Sequence, residues 1–150
     1  KSGFYSSDGI CGNGKSLYKV GNTLYLGRTA SNISHSADNL PEFFILNDID
    51  PTSIPATPLG SLSLDTAVSL NGIIIRDNLA FFITSEQFQI WKIDTSTVPY
   101  TITPYAAPLS LPPGSGNVDG TAADCEGNYI FVGSLGSNDK GYLSIITASP

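Results

Sequence analysis

Three hairpin patterns recur along the chain, and they constrain its fold more than any other feature. In each pattern, two runs of strand-forming residues flank a dipeptide that ends in asparagine. Glycine, asparagine and aspartate tolerate the positive φ angles that tight hairpin turns require. The turn dipeptides are Gly21-Asn22, Asp77-Asn78 and Gly127-Asn128, and the runs around them predict hairpins over 16–27, 72–83 and 120–133.

A further strand is predicted after each hairpin, beyond a polar loop of variable length. These strands cover Phe43–Asp48, Phe88–Asp94 and Tyr142–Thr147. In the first two units a proline-containing linker leads to another apolar segment, at 59–64 and at 105–111. Helical periodicity is absent, and ten Pro and fifteen Gly interrupt any candidate helix.

The spacing of these units predicts the architecture. The turn asparagines lie 56 and 50 residues apart. A period near 50 residues with about four strands per unit is typical of propeller blades. We predict one all-β domain, residues 1–150, built from three propeller-blade-like antiparallel repeats at about 12–64, 65–111 and 117–150. Closed propellers have about 4–8 blades, so either blades are missing or the three sheets pack in another closed or sandwich-like way.

Adjacent aromatic residues indicate how the sheets pack. Phe81 and Phe82 must point to opposite faces of one strand, and so must Phe43 and Phe44. Sheets stacked face to face would bury both rings of each pair. We favour this packing over the alternative, in which one ring of each pair is exposed as a subunit contact.

The charge pattern excludes several classes of partner. Charged residues make up 13% of the chain, the net charge is −6, and the seven Lys and Arg form no cluster. Nucleic acids and anionic membranes are therefore not expected as partners, and no apolar run is long enough to insert into a membrane. Polarity carried by Ser, Thr, Asn and Gly predicts an extracellular or cell-surface location. Because the chain begins at Lys1 without an initiator Met, we expect a processed product or a separately made part.

The two cysteines, Cys11 and Cys125, belong to no C-x-x-C motif. We predict one disulfide between them, which would tie the start of the chain to its last third. The alternative is two separate buried thiols, each packing as a small hydrophobe.

Residues suited to catalysis are few. The single histidine, His35, lies in a polar segment with Asp38 and is predicted to be a solvated surface residue, without a nucleophile elbow. Two acidic groups could in principle serve a glycosidase, but capping of turns is the favoured interpretation of them. They are Asp48 with Asp50, and Asp119 with Asp124 and Glu126. We expect no catalytic residues and no enzyme activity.

One modification site and no cofactor site are predicted. No cofactor and no metal site are expected, with calcium in the Asp/Asn/Gly loops at 8–14 and 137–141 as the alternative. Asn32 starts the only N-x-[ST] sequon and is the predicted glycosylation site.

The order of turn, aromatic strand, polar loop and apolar-x-Ile-x-Asp strand resembles the bacterial LVIVD repeat. Residues 127–132 match the first half of that repeat and 88–96 match the second, while 44–51 match the second half more loosely. The third unit departs from it, with Thr147 where an Asp is expected. The resemblance implies a β-propeller-like bacterial surface protein without enzyme activity, and such repeats are also similar to the globular parts of pilin-like proteins.

These observations predict an extracellular structural or adhesive surface domain. We expect it to be a subunit or globular head of a type IV pilus-like filament. Its expected partners are protein subunits of a surface assembly, including an N-terminal helical pilin chain, and glycans. The alternative is a carbohydrate-binding or glycoside-processing propeller domain, which would need a cleft that joins carboxylates to an aromatic platform.

Overall fold

A computed structural model of the chain describes residues 14–29, 41–47, 57–64, 69–112, 119–136 and 139–147. Within these residues the fold is all-β, with antiparallel strands and no helix, as the sequence predicts. The strands form three sheets that follow one another along the chain, and the described sheets do not close on themselves.

Each sheet is an antiparallel meander in which strands that follow in sequence lie side by side. Sheet 1 contains β1 (Gly14–Val20), β2 (Thr23–Arg28), β3 (Phe43–Asn47) and β4 (Gly60–Leu62). Sheet 2 contains β5 (Leu70–Arg76), β6 (Leu79–Thr84), β7 (Gln87–Asp94) and β8 (Thr101–Pro104), and the short β9 (Leu109–Ser110) also pairs with β7. Sheet 3 contains β10 (Asp119–Glu126), β11 (Tyr129–Leu135) and β12 (Gly141–Thr147).

The first two strands of every sheet form the predicted hairpin, with its turn at the predicted dipeptide. The first turn residue has a positive φ in each case: 55° at Gly21, 51° at Asp77 and 56° at Gly127. Asp77 adopts this conformation without being glycine, in keeping with the tolerance of aspartate for the left-handed region. The three turns therefore share one geometry.

A β-bulge recurs at the same place in the three hairpins. The register shifts between Gly14 and Ser16, between Leu70 and Gly72, and between Gly120 and Ala122. One extra residue in the first strand bends that strand and increases its twist. The repeat is therefore structural in detail and not only a recurrence of turn residues.

The fourth strand of the second unit lies elsewhere than predicted. The segment 105–111 contributes only Leu109–Ser110, while the strand beside β7 is β8 at Thr101–Pro104. The β-branched run Thr101-Ile102-Thr103 suits a pleated strand. The segment after it includes Pro108, which has no N–H to donate to a ladder. In the first unit, β4 falls inside the predicted 59–64 segment.

Each sheet has two faces, which we name from the aromatic residue that stands third after the turn asparagine. The forward face bears that residue: Tyr25 in sheet 1, Phe81 in sheet 2 and Phe131 in sheet 3. The opposite face is the rear face. Because side chains alternate along a strand, the register of each sheet assigns the remaining residues to one face or the other.

The forward face of sheet 1 packs on the rear face of sheet 2. Phe43 and Ile45 from sheet 1 join one core cluster with Ile73, Ile75 and Phe82 from sheet 2. The Phe43 and Phe82 rings are 4.6 Å apart between centroids at a tilt of 54°, within the range that favours aromatic pairs.

The forward face of sheet 2 packs in turn on the rear face of sheet 3. A second core cluster joins Phe81 and Phe88 of sheet 2 to Ile130 and Val132 of sheet 3. Phe81 and Phe82 are therefore both buried, on opposite faces of β6, which confirms the face-to-face packing predicted from their adjacency. Phe43 and Phe44 are also both buried.

Candidate functional site

The forward face of sheet 3 has no sheet packed on it among the described residues, although it is apolar. Its exposed large side chains come from β11 and β12, and they are Tyr129, Leu135, Leu143 and Ile145. Phe131, half-buried, lies on the same face, with its ring centroid 6.5 Å from that of Tyr129. Monomeric soluble proteins rarely expose apolar patches of this kind unless the patch binds something. We call these five residues the open face.

The register identifies the residues of sheets 1 and 2 that correspond to Leu143 and Ile145. In sheet 1, Gly27 and Tyr25 of β2 pair with Phe43 and Ile45 of β3.

In sheet 2, Ile83 and Phe81 of β6 pair with Phe88 and Ile90 of β7. In sheet 3, Gly133 and Phe131 of β11 pair with Leu143 and Ile145 of β12. The same two forward positions thus carry apolar side chains in all three sheets.

Exposure separates the third pair from the first two. Phe43 and Ile45 are 0% exposed, and Phe88 is 1% exposed. Leu143 is 68% exposed and Ile145 is 59% exposed. The sequence therefore maintains a core-type pattern at a place where the described chain supplies no core.

The rear face of sheet 1 is the other end of the stack. Leu17, Leu24 and Leu26 stand on it at the positions that Ile73, Ala80 and Phe82 occupy in sheet 2. Leu17 is 66% exposed, and Leu24 and Leu26 are half-buried. Phe44 and Leu46 on the same face are buried, yet neither belongs to the two core clusters of the described residues. The rear face of sheet 1 is therefore already covered along β3, where Phe44 and Leu46 lie, and it is open at Leu17 on β1.

Polar contacts hold the first interface in register. The Ser16 hydroxyl donates to the Leu70 carbonyl at 2.8 Å, and the hydroxyls of Thr29 and Ser69 share a hydrogen bond of 2.8 Å. Thr29 and Ser69 also form an isolated antiparallel bridge between the two sheets.

At the second interface, the Arg76 guanidinium of sheet 2 donates to the carbonyl of Gly127 in the turn of sheet 3. Arg76 lies on the forward side of its strand, next to the turn. The forward edge of one sheet therefore reaches the turn of the next.

A cleft lies between the end of sheet 1 and the β7–β8 edge of sheet 2. Its volume is about 390 Å³, and Ser63, Gln87, Gln89 and Trp91 are among its lining residues. Trp91 Nε1 donates to Gln89 Oε1 at 2.9 Å, and Gln89 Nε2 donates to Gln87 Oε1 at 3.1 Å. The amides and the indole thus form a linked polar row beside an aromatic surface.

The cleft also contains a carboxylate and several prolines. Glu86 is exposed at its rim, and Pro104 and Pro108 line the side formed by sheet 2. Among the described lining residues Glu86 is the one carboxylate. Glycoside hydrolysis ordinarily uses two carboxyl groups on either side of the bond that breaks. The described lining therefore contains one of the two carboxyl groups that such a reaction uses.

Several predicted site residues lie outside the described residues. These are Cys11, Asn32, His35, Asp38, Asp48 and Asp50. The disulfide, the glycosylation site and the first carboxylate group therefore stay predictions. Cys125 lies on β10, half-buried against the second core cluster.

The second carboxylate group also stays a prediction, because the side chains of Asp119 and Asp124 lie outside what the structure describes. Asp119 and Asp124 lie on β10, and Glu126 is exposed at its end. Asp94 is the clearest case of a carboxylate in a turn, because its Oδ1 accepts a hydrogen bond of 2.9 Å from the Ser96 N–H. That bond lowers the pKa of Asp94, and Lys92 contributes in the same direction.

The described residues contain no metal-binding cluster and no membrane-spanning helix. No group of three or more His, Cys, Asp or Glu side chains in the described part of the chain could hold a metal ion. The loop at 137–141, one of two considered for calcium, is described from Asp139 onward, and Asp139 is exposed with φ 58°. No helix among the described residues is long and apolar enough to cross a membrane.

Neither the open face nor the Trp91 cleft was predicted from the sequence. The Leu143-x-Ile145 alternation was available as a signal, because it matches Phe43-x-Ile45 and Phe88-x-Ile90. The cleft has no comparable signal, since Ser63 and Trp91 come from different sheets. Comparison with known proteins adds no assignment: no family model, no curated protein and no solved structure matches the chain.

Proposed function

We propose that this chain is an extracellular structural or adhesive domain that works as a subunit of a cell-surface assembly. The open face is the observation that carries the proposal. A β-repeat that buries its forward face twice and leaves it exposed the third time is suited to continuing its stack against another protein. The low charge and the Ser/Thr/Asn-rich surface support an extracellular or cell-surface location.

The blade-like features support a more specific version of this proposal. Propeller blades are repeated four-stranded sheets, and the common hairpin turn, the common bulge and the forward-on-rear packing make the sheets of this chain repeats of one another. We propose a β-propeller-like domain of the LVIVD-repeat kind, acting as the globular part of a pilus-like filament. In that arrangement a helical pilin chain would supply the filament core, and the sheets described here would lie on its outside.

The experiment is fractionation of cells that produce the protein. We expect the wild-type protein in the fraction sheared from the cell surface, copurifying with a polymer. The double variant Leu143→Asp/Ile145→Asp is expected to lose that association while remaining folded. The control is Val98→Asp, because Val98 is 70% exposed but lies in the loop after β7. Recovery of the wild-type protein as a soluble cytosolic monomer would contradict the proposal.

Carbohydrate binding is a second candidate function, which the Trp91 cleft favours. An indole beside a row of side-chain amides offers both an apolar surface and donors and acceptors for hydroxyl groups. Cleft sites with a few convergent polar groups are the usual form of small-ligand sites. The cleft is proposed to hold a neutral oligosaccharide without cleaving it.

Trp91 is the single tryptophan of the chain, so its fluorescence reports on the cleft directly. We expect a saturable change in emission on titration with cellotetraose or chitotriose, and its loss in Gln89→Ala. Gln87→Ala is expected to weaken binding less, because Gln87 contacts the indole only through Gln89. An emission spectrum unchanged by either sugar at millimolar concentration would argue against the cleft as a saccharide site.

A further inference from the structure

We infer that a second copy of this chain covers the open face with the rear face of its sheet 1, so that the copies stack head to tail. The inference rests on the proposed function and names the partner at the open face. Its basis is the repetition of one interface type within the chain.

The two interfaces inside the chain are of the same kind. In both, the forward face of one sheet meets the rear face of the next, and the same strand positions supply the contacts. A forward face in this fold therefore has a known complement, which is a rear face with apolar side chains on the first two strands. A third interface of the same kind would bury Leu143 and Ile145 as the first two bury Phe43 and Phe88.

The chain offers that complement itself. Sheet 1 carries Leu17, Leu24 and Leu26 on its rear face, where sheet 2 carries the residues that meet Phe43. The contact would be made on the β1 side of this face, where Leu17 is 66% exposed, because Phe44 and Leu46 on the β3 side are already buried. A face that fits a different face of an identical chain gives a heterologous interface, which closes into a ring or extends into a filament. Two chains of three sheets would provide six, within the range of closed propellers.

Charge at the edge of the two faces agrees with this pairing. Arg76 on the forward side of sheet 2 reaches the turn of sheet 3. The corresponding residue of sheet 3 is Glu126, an exposed carboxylate two places before the turn asparagine. A carboxylate cannot donate to a turn carbonyl as Arg76 does, so Glu126 would need a cation beside the Gly21-Asn22 turn of the second copy, and Lys19 on the rear side of β1 is the cation nearest that turn in sequence. The head-to-tail contact thus places opposite charges together.

The test is sedimentation of the purified full chain over a range of concentrations. We expect the wild-type chain to associate, as a closed two-copy species or as longer assemblies, either of which supports the inference. Leu143→Asp and Leu17→Asp are each expected to weaken self-association by at least about tenfold, because each loses one side of a central apolar contact. Circular dichroism establishes that both variants are folded, and Val98→Asp serves as the matched exposed apolar control.

Mixing the two variants gives the decisive measurement. Each retains one intact face, so a mixture of Leu143→Asp and Leu17→Asp is expected to form a one-to-one complex that does not grow. If Leu17→Asp associates as well as wild type while Leu143→Asp does not, two open faces pair with each other and the head-to-tail inference is wrong. A wild-type chain that stays monomeric at every concentration also overturns it, while copurification with a surface polymer would still support the proposed function.

The charge pair provides an independent second test with exposed residues that have little effect on folding. Glu126→Lys is expected to weaken association, and Lys19→Glu in the same chain is expected to restore it. If Lys19→Glu did not restore association, the proposed contact between Glu126 and Lys19 would be ruled out.

Discussion

The forward faces of sheet 1 and sheet 3 carry the same pattern of side chains in opposite surroundings. In sheet 1 the pair Phe43 and Ile45 is fully buried against sheet 2, whereas in sheet 3 the pair Leu143 and Ile145 lies largely in solvent. Burying an apolar side chain contributes about 1.5–3 kcal/mol. The pair Phe43 and Ile45 therefore stabilises this chain. The pair Leu143 and Ile145 would contribute a similar free energy only on contact with something outside the described sheets.

The comparison teaches that a repeat pattern specifies a face but not its occupant. Sheet 2 is covered on both faces because it has a described neighbour on each side. Sheets 1 and 3 each have one. An apolar end face on a stacked repeat is either capped, extended or used for assembly, and polar outer faces are the usual form of a cap. The open face is apolar, so it does not resemble a cap.

Truncation of the equivalent side chains Phe43 and Leu143 is expected to give the largest difference between the two faces. Phe43→Ala is expected to lower the free energy of unfolding by about 3–5 kcal/mol, since it leaves a cavity between two sheets and removes the contact with Phe82. Leu143→Ala is expected to change the free energy of unfolding of the monomer by less than about 0.5 kcal/mol. Urea unfolding at low protein concentration measures both. Equal losses would mean that the open face is covered within the chain.

The spacing between sheets 1 and 2 provides a second test. A Cβ at Gly27 would lie 2.2 Å from Ser16 Oγ and 2.9 Å from the Leu70 carbonyl oxygen. Gly27→Ala is therefore expected to force the two sheets apart and to disrupt the Ser16–Leu70 hydrogen bond, at a cost of about 1–3 kcal/mol.

Gly141→Ala is the matched control for that change. Gly141 lies on the edge strand β12, and a Cβ there would meet no heavy atom within 4 Å. The Gly141→Ala variant is expected to unfold at a urea concentration close to that of the wild type. A Gly27→Ala variant that matches the Gly141→Ala variant would show that the first interface tolerates a wider spacing.

The sequence predicted the strands well because each one is encoded locally. The turn dipeptides, the β-branched and aromatic runs and the 50-residue rhythm all act within a few residues, and the three hairpins lie where they were expected. The one displaced strand, β8, was missed because Thr101–Pro104 is only four residues long, has prolines near both ends at 99 and 104, and is followed by a longer apolar segment.

The order of stacking was less accessible from sequence. Adjacent Phe81 and Phe82 indicate two buried faces but do not say which sheet covers each. The open face required the register of all three sheets, since Leu143 is recognised as unusual only when it is aligned with Phe43 and Phe88. The cleft beside Trp91 depends on how two sheets meet, and local sequence does not encode that distance.

The smallest expected effect is a pH dependence that arises from the covered forward face of sheet 1. Tyr25 lies on the forward face of sheet 1, packed against the first core cluster, with its ring stacked on Phe43 at 6.2 Å. Burial raises the pKa of Tyr25 above its ordinary value near 10, and the neighbouring Tyr100 adds to the rise. The folded protein therefore keeps a proton on this hydroxyl at pH values where the unfolded chain has lost it.

The sign of the effect follows from that difference in bound protons. Stability from the neutral hydroxyl is fully present below about pH 10, and it falls as the pH rises from the unfolded pKa of tyrosine through the raised pKa of the folded state. Tyr25→Phe removes the titrating group, so its free energy of unfolding should decline less between about pH 9 and 11 than that of the wild type. Tyr129→Phe, a change on the open face, is measured beside it to account for the general effect of alkali. If Tyr25→Phe lost stability as steeply as the wild type over this range, burial on the forward face of sheet 1 would not be what protects this hydroxyl from ionising.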